Sequence, residues 1–333
     1  MKKSDKMWAL YIPLPYSLDD EKKRTREFDQ EVWDYVIDEA SRIGINTIVL
    51  GINNAIEFHS HPEIAAKGAW TQKKLHDELA KCREKNIKVI PMMNFASSHD
   101  DWLCQYHRKI CTPEYYQICN DIIKEAYEMF EHPEYIHLAM DEEDAKHVKT
   151  QRLAVYRQGE LYWHDLRFYV DCVKATGAKP WMWTDPLFDH PEEFIKRFDP
   201  DEILLSPWYY NAFNRENWTP ISSREVYLTY YNEGEYKNMG IQFVEEDPFL
   251  VRVREVAIPL LEKGFRYVPC ASVCNKCDCN HSELVEYFKT NATEEQIPGY
   301  ISAPWGSVTK EDKYRLEDTF RFYKEAMDKH YKE

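Results

Sequence analysis

Short hydrophobic runs of strand length alternate with amphipathic stretches of helix length along the whole chain. Apolar residues at helical spacing predict helices over 31–40, 72–85, 113–130, 161–176, 248–263, 282–289 and 310–331. Eight apolar runs bounded by turn residues predict strands, over Trp8 to Pro13, Ile45 to Ile52, Ile87 to Asn94, Tyr135 to Met140, Lys179 to Thr184, Glu202 to Trp208, Phe265 to Val273 and Ile297 to Trp305.

Eight strands alternating with helices predict an α/β protein, a (β/α)8 TIM barrel, which we expect to be a single domain over residues 1–333. A doubly wound open sheet is the alternative. Its nucleotide-binding versions lose support because no glycine-rich phosphate loop follows any predicted strand. The longest irregular stretch, residues 209–247, is rich in Tyr, Asn and Glu and predicts a loop insertion over one end of the barrel.

The fourth predicted strand ends at adjacent acids. Its sequence continues as Tyr135-Ile136-His137-Leu138-Ala139-Met140-Asp141-Glu142-Glu143. The two-residue alternation places His137 and Asp141 on the same side of the strand. Acids at the carboxyl end of a barrel strand are typical of acid–base catalysis. The first turn of a helix also favours acids, so the triplet by itself has a second, purely structural interpretation.

The other strand ends bring more polar and aromatic residues to the same rim. Carboxylates and amides among tryptophans are the composition of a carbohydrate site, because a sugar ring stacks on an aromatic face. The residues that follow strands two to eight, besides the acids above, include Asn53, Asn54, His59, His61, Asn94, His99, Asp100, Trp102, Trp183, Asp185, Trp208, Tyr209, Tyr210, Asn211, Asn275, Asn280 and Trp305.

This pattern resembles the family 20 glycoside hydrolases, the β-N-acetylhexosaminidases. That family carries H-x-G-G-D-E at the end of strand four, and residues 137–142 keep its His, Asp and Glu at the same spacing. Strand three of the family reads V-I-P-E-x-D followed by P-G-H. Here Val89-Ile90-Pro91 keeps the first three residues, and Ser98-His99 falls one residue late. Tryptophans that end strands five, six and eight are a further likeness.

The resemblance implies a retaining glycosidase without a cofactor or metal. Glu142 would be the general acid/base, and Asp141 would orient the 2-acetamido group whose carbonyl oxygen is the nucleophile. These roles require an ionised Asp141 and a protonated Glu142, a split that neighbouring carboxylates favour. The residues expected to contact the carbohydrate substrate are Asn94, His99, His137, Trp183, Asp185, Trp208, Tyr209 and Trp305. A structural role for His137 in the core is an equal alternative.

Several departures from the family keep other functions open. Ala139 and Met140 replace the two glycines, Met92 and Asn94 replace the strand-three acids, and Trp305-Gly306-Ser307 lacks the acid of W-x-E. One alternative is a sugar-binding barrel without catalysis. A second is a retaining glycosidase for plain sugars with Asp185 as nucleophile, and the acids 245–247 as weaker candidates. A third is a metal-dependent hydrolase that uses His59, His61 and Asp185.

Net charge and cysteine content indicate which partners and which cellular compartment to expect. The 333 residues carry a net charge of −15, which disfavours nucleic acid and anionic membranes as partners. An apolar run of signal-peptide or membrane-span length is missing from the sequence, so we expect a soluble cytoplasmic protein with free thiols among its nine cysteines. Free thiols are also our expectation for Cys270, Cys274, Cys277 and Cys279, which with His281 have zinc-type ligands. The oligomeric state is left open.

Overall fold

Eight parallel strands form the centre of the molecule. The computed structural model describes residues 5–15, 28–144, 147, 155–210, 248–273 and 278–331. Every predicted strand is confirmed; β1 begins one residue earlier than predicted, and the other seven are shorter than predicted. The strands are β1 (Met7–Pro13), β2 (Thr47–Gly51), β3 (Lys88–Met92), β4 (Tyr135–His137), β5 (Lys179–Trp183), β6 (Leu204–Ser206), β7 (Cys270–Ala271) and β8 (Gly299–Ser302).

The sheet closes on itself. Its order is β6-β5-β4-β3-β2-β1-β8-β7, so β1 lies between β2 and β8, with Leu10 opposite Ile48 on one side and Ser302 on the other. Parallel bridges between Leu205 and Tyr267 and between Trp208 and Cys270 join the two ends. The predicted (β/α)8 barrel is therefore confirmed, and the open sheet is wrong.

Helices surround the barrel, and their order follows the predicted alternation. The helices are α1 (Gln30–Ile43), α2 (Gln72–Glu84), α3 (Pro113–Met129), α4 (Glu160–Thr176), α5 (Asp185–Asp189), α6 (Pro191–Arg197), α7 (Pro248–Arg252), α8 (Ile258–Leu261), α9 (Asn280–Asn291) and α10 (Lys313–His330). A π-helical turn, Val253–Ala257, joins α7 to α8, and 3₁₀ turns cover Pro62–Ile64 and Asp100–Lys109. Helices α5 and α6 were not predicted.

The core has two layers because successive strand residues point to opposite faces. Val49, Ile90, Trp181 and Ile301 fill the interior of the barrel. Their strand neighbours pack outward against the helices, as Ile48 does. Among the described residues, the interior of the barrel is therefore filled with side chains, and the ends of the barrel are where a ligand has room.

Most of the predicted loop insertion, residues 211–247, lies outside the described residues, as does Asn275. Among the described residues, none of the helices combines the length and the apolar character that crossing a membrane requires.

Candidate active site at the carboxyl end of the barrel

The chain turns sharply where β4 ends. It stays hydrogen-bonded beside β5 through Ala139, whose carbonyl accepts from the Trp183 N–H at 3.0 Å. Ala139, Met140 and Glu142 then adopt left-handed conformations, with φ of 58°, 64° and 58°. The predicted strand reached Met140, but left-handed residues cannot continue a strand, so β4 ends at His137. The turn brings Asp141 and Glu142 to the barrel mouth on irregular backbone.

Asp141 is the buried carboxylate of the site, with 9% of its surface exposed. Its Oδ1 accepts a hydrogen bond of 2.7 Å from Asn94 Nδ2, and its backbone carbonyl accepts one of 3.2 Å from Ser98 Oγ. Both donors lie in the segment after β3. Asp141 is therefore fixed by the neighbouring strand end, and its Oδ2 is directed toward His99 at 3.9 Å.

Asn94 is itself held at every polar group. Its N–H donates to Asn53 Oδ1 at 3.0 Å, its Oδ1 accepts from the Ala96 N–H at 3.1 Å, and its carbonyl accepts from Trp102 Nε1 at 2.6 Å. A side chain locked in this way has one orientation available for its amide nitrogen. The amide of Asn94 therefore positions Asp141, where the family pattern has an acid.

His99 lies between the two acids. Its Nε2 is 3.1 Å from Glu142 Oε2 and 3.9 Å from Asp141 Oδ2. Burial by itself would lower the pKa of His99, but the two carboxylates outweigh it and raise this pKa to about 9. The ring is therefore an imidazolium at neutral pH.

Glu142 is the more accessible acid, with 44% of its side chain exposed. Its Oε1 lies 3.5 Å from His147 Nε2. Burial raises the pKa of Glu142, but the hydrogen bond from His99 and the charge of His147 prevail and lower it. Burial raises the pKa of Asp141, to which the charge of Glu142 adds, while His99 opposes it. The two shifts are the reverse of the split expected from the sequence, because His99 favours the charged form of Glu142.

Asp185 joins two strand ends. It is the first residue of α5, its Oδ1 accepts from the Glu142 N–H at 3.2 Å, and its Oδ2 accepts from Trp208 Nε1 at 2.7 Å. Burial, with the charge of Asp141, raises the pKa of Asp185 to about 8. Both oxygens accept hydrogen bonds, one from the segment after β4 and one from the segment after β6. Asp185 therefore links these two segments.

Aromatic rings form one wall of the mouth. The ring centroids of Trp183 and Trp208 are 4.2 Å apart, and Trp305 lies 5.5 Å from Trp208. Trp305 Nε1 donates to the Tyr210 hydroxyl at 2.8 Å. Trp183 has no exposed surface, Trp208 is 6% exposed, and Trp305 is half-buried. Trp305 is thus the tryptophan of this wall that reaches solvent, while Trp183 lies beneath the others.

His137 lies below the site rather than in it. The ring has no exposed surface, lies between Trp181 and Trp183, and its Nδ1 accepts from the Ala139 N–H at 3.0 Å. Burial lowers the pKa of His137 to about 3, so the ring is neutral. Its Nε2 has no hydrogen-bond partner within the described part of the chain. His137 is therefore placed in the core, where its hydrogen bond with the Ala139 N–H stabilises the turn after β4.

Tyr209 is placed on the other side of the barrel wall. It packs in the layer between strands and helices, with its ring 5.7 Å from that of Tyr287 on α9. Its neighbours Trp208 and Tyr210 face the interior. The structure therefore does not bring Tyr209 to the site and brings Tyr210 in its place.

Glu143, the third acid of the triplet, lies apart from Asp141 and Glu142. Its side chain is 2% exposed and forms an ion pair with Arg157, which also pairs with Asp165 at 3.1 Å. Neither Arg157 nor His147 was among the predicted site residues. His147 had a detectable signal in the sequence, because it follows Glu142 by five residues.

The alternative metal ligands are not brought together. His61 Nε2 lies 3.3 Å from Asp121 on α3, and its Nδ1 lies 3.2 Å from Glu63. The backbone N–H of His59 donates to Glu125 on α3. Both histidines therefore lie against α3 rather than beside Asp185.

The cysteine-rich segment is described in part, since Cys274 and Cys277 lie outside the described residues. His281 is buried with Nε2 at 2.6 Å from Ser302 Oγ. Cys270 is buried in β7, and Cys279 is half-buried. The described ligand atoms of this segment form no metal-binding group.

The fold and these residues define a (β/α)8 barrel with an acidic, tryptophan-walled site at its carboxyl end. The fold is similar to solved structures of family 20 β-N-acetylhexosaminidases. Dispersin B matches with a TM-score of 0.60 at 15% identity, covering 98% of this chain and 99% of the other. The catalytic modules of a pneumococcal exo-β-D-N-acetylglucosaminidase match with 0.60 at 13%, covering 99% and 86%.

A third match is the family 20 β-N-acetylhexosaminidase of Streptomyces coelicolor A3(2), with a TM-score of 0.59 at 11% identity. It covers 98% of this chain and 64% of the larger enzyme. No family model matches the sequence, and neither does any curated protein at a significant level. At these identities the likeness is one of fold, and the predicted resemblance is confirmed at that level.

Proposed function

We propose that the chain is a glycoside hydrolase that acts on a 2-acetamido sugar with retention, with Glu142 as general acid/base and Asp141 orienting the acetamido group. One observation carries the proposal: Asp141 and Glu142 lie together with His99 at the carboxyl end of β4, where barrel enzymes place their chemistry. The likeness in fold to family 20 enzymes supports the same reaction class.

His99 supplies the proton that Glu142 needs. The carboxylate of Glu142 is ionised, but the imidazolium proton on His99 Nε2 is 3.1 Å from its Oε2, within proton-transfer distance. The pair thus holds one proton in common. A sugar over Glu142 would remove water from its exposed side chain and raise its pKa, so that the proton moves from His99 to Glu142.

The reaction then follows the substrate-assisted course. The acetamido carbonyl oxygen bonds to the anomeric carbon while the glycosidic C–O bond breaks, and Glu142 gives its proton to the leaving oxygen. Asp141 acts here as a carboxylate: burial raises its pKa, but the charge of His99 and the hydrogen bond from Asn94 oppose this and favour the ionised form. The carboxylate stabilises the positive charge that develops on the acetamido nitrogen. Water, deprotonated by Glu142, then opens the cyclic intermediate and leaves the anomeric configuration retained.

The arrangement of Asp185 disfavours the route with a second carboxylate as nucleophile. Both of its oxygens accept hydrogen bonds from Glu142 and Trp208, so an attack would first require both bonds to break. The remaining alternative is a sugar-binding barrel without turnover, and the test below separates it.

The test is hydrolysis of paired aryl glycosides, one with a 2-acetamido group and one with a 2-hydroxyl. Wild type should hydrolyse the acetamido glycoside selectively. Glu142→Gln should lose about 10²- to 10⁴-fold in kcat for a poor leaving group. The control, Glu193→Gln, changes an acid that pairs with Lys196 and Arg197 on α6 and should keep full activity.

Each other outcome has a defined meaning. Full activity in a folded Glu142→Gln protein would refute the assigned acid. Turnover of the 2-hydroxyl glycoside would refute the acetamido nucleophile and restore a second carboxylate. Binding of the sugar in calorimetry without turnover in any assay would favour the binding barrel.

A further inference from the structure

One nitrogen of His99 faces two carboxylates at once. Nε2 lies 3.1 Å from Glu142 Oε2 and 3.9 Å from Asp141 Oδ2, and one ligand atom from each of the three residues lies within 4.8 Å of the others. A single N–H points to one acceptor, so it cannot satisfy both oxygens. A cation placed among the three atoms would contact all of them.

The distances suit a small transition-metal ion. Zinc lies about 2.0–2.1 Å from imidazole nitrogen and about 2.0–2.2 Å from carboxylate oxygen. Ligands of a tetrahedral ion at these lengths are about 3.4 Å apart. The two separations from His99 Nε2, 3.1 and 3.9 Å, bracket this value, and ligand atoms of the three residues lie within 4.8 Å of one another, so a side-chain adjustment toward the ion would complete three sides of a tetrahedron and leave the fourth open.

Hydrogen bonds from neighbouring residues already hold the proposed ligands in place. Asn94 Nδ2 occupies Asp141 Oδ1 at 2.7 Å, which leaves Oδ2 as the oxygen directed at His99. Ser98 Oγ holds the Asp141 carbonyl at 3.2 Å, and the N–H of Glu142 is held by Asp185. Hydrogen bonds of this kind orient metal ligands and raise their affinity.

We propose that His99, Asp141 and Glu142 form a binding site for one divalent transition-metal ion, with Zn²⁺ as the best fit. One imidazole and two carboxylates suit zinc or cobalt, because imidazole nitrogen favours transition metals, whereas Mg²⁺ and Ca²⁺ favour all-oxygen ligand sets. Binding displaces the proton that His99 Nε2 and Glu142 Oε2 share, and this proton leaves to solvent, because a metal ion and a proton compete for the same lone pairs. The ion therefore inhibits hydrolysis, a consequence that rests on the function proposed above, while the binding itself does not.

The test is titration of the full, chelator-treated chain with Zn²⁺ in a calorimeter, and with Co²⁺ in a spectrophotometer. One ion per chain should bind, with Co²⁺ bands of nitrogen and oxygen ligation and no thiolate charge-transfer band. His99→Gln should weaken binding at least about 10- to 100-fold. Glu142→Gln should do the same, which keeps the test valid if one variant does not fold. Mg²⁺ should not displace the ion.

His61→Gln is the matched control. His61 also faces two acids, but through different ring nitrogens, Nδ1 toward Glu63 and Nε2 toward Asp121, so one ion cannot join them through this ring. Its binding should equal that of wild type. Absence of saturable binding, binding unchanged by both site variants, or a thiolate band that persists in them would overturn the site.

Activity is measured separately on the aryl acetamido glycoside. If the chain binds Zn²⁺ through these residues but hydrolyses no glycoside, the proposed function fails and the metal site stands. If the chain hydrolyses the glycoside but binds no ion, the metal site fails and the function stands.

Discussion

Ala139 carries the backbone turn that brings the acids to the mouth. It is fully buried with φ of 58°, a conformation that costs an L-residue about 1–2 kcal/mol. Ala139→Gly removes this cost, which offsets the loss of one buried methyl, worth about 0.8 kcal/mol, and the greater entropy of the unfolded chain. We expect the free energy of unfolding in urea to change by less than about 1 kcal/mol.

Ala126→Gly is the comparison, because Ala126 is equally buried but lies inside α3. There the glycine loses both the methyl and helix propensity, and we expect a loss of roughly 1.5–2 kcal/mol. Equal losses in the two variants would show that the turn after β4 is not strained.

The placement of single side chains was predictable as far as strand alternation holds. Asn94, His99, Asp141 and Glu142 were expected at one rim and lie there. Tyr209 was not brought there because it follows Trp208 by one residue, and successive residues face opposite sides of the barrel wall. The charge states depend on distances from His99 that no spacing along the chain determines.

Arg157 connects three elements around the site. Its Nε donates to Glu143 at 2.6 Å after β4, its Nη1 to Asp165 at 3.1 Å on α4, and its Nη2 to the carbonyl of Phe95 at 2.7 Å after β3. Arg157→Met leaves two buried carboxylates without their cation. We expect the free energy of unfolding to fall by about 3–5 kcal/mol at neutral pH, measured in urea.

Arg197→Met is the matched control for this cluster. Arg197 pairs with Glu160 and Glu193, but these acids are largely exposed, so the loss should stay below about 1 kcal/mol. A small effect of Arg157→Met, similar to that of the control, would mean that the segment after β4 is held by other contacts.

Two short helices escaped prediction because proline usually ends a helix. Pro186 and Pro191 stand at the second residue of α5 and the first of α6, where the amide hydrogen has no partner inside the helix and proline is tolerated. The composition of residues 185–197 therefore predicts a loop instead of the two helices. The longer helices were predictable because their apolar stripe repeats over several turns.

Barrel closure is the property of the whole molecule that the alternation predicted best. Eight strands with helices between them leave few ways to bury every apolar strand, since parallel sheets need cover on both faces. The sequence could not show how β6 and β7 meet. They do so through bridges at Leu205–Tyr267 and Trp208–Cys270 rather than a regular ladder, and such contacts depend on side-chain packing.

Two neutral histidines tie the stability of the barrel to pH. His137 and His281 are buried, and burial lowers the pKa of each to about 3 from an ordinary value of 6.5. Between these values the unfolded chain binds protons that the folded chain does not, so stability falls as the pH is lowered from 6.5 toward 3. Each histidine should contribute a slope of about 1.4 kcal/mol per pH unit in this window.

The free energy of unfolding is measured in urea between pH 4 and 7, at intervals of about half a pH unit. His281→Gln should lower stability at pH 7, because the hydrogen bond with Ser302 changes, yet flatten the slope by up to about 1.4 kcal/mol per unit. His132→Gln, an exposed histidine beside Glu128, should leave the slope as in wild type. An unchanged slope in the His281 variant would mean that this ring takes up its proton without unfolding, so that the acid sensitivity would have to come from His137 and from the carboxylates around the site.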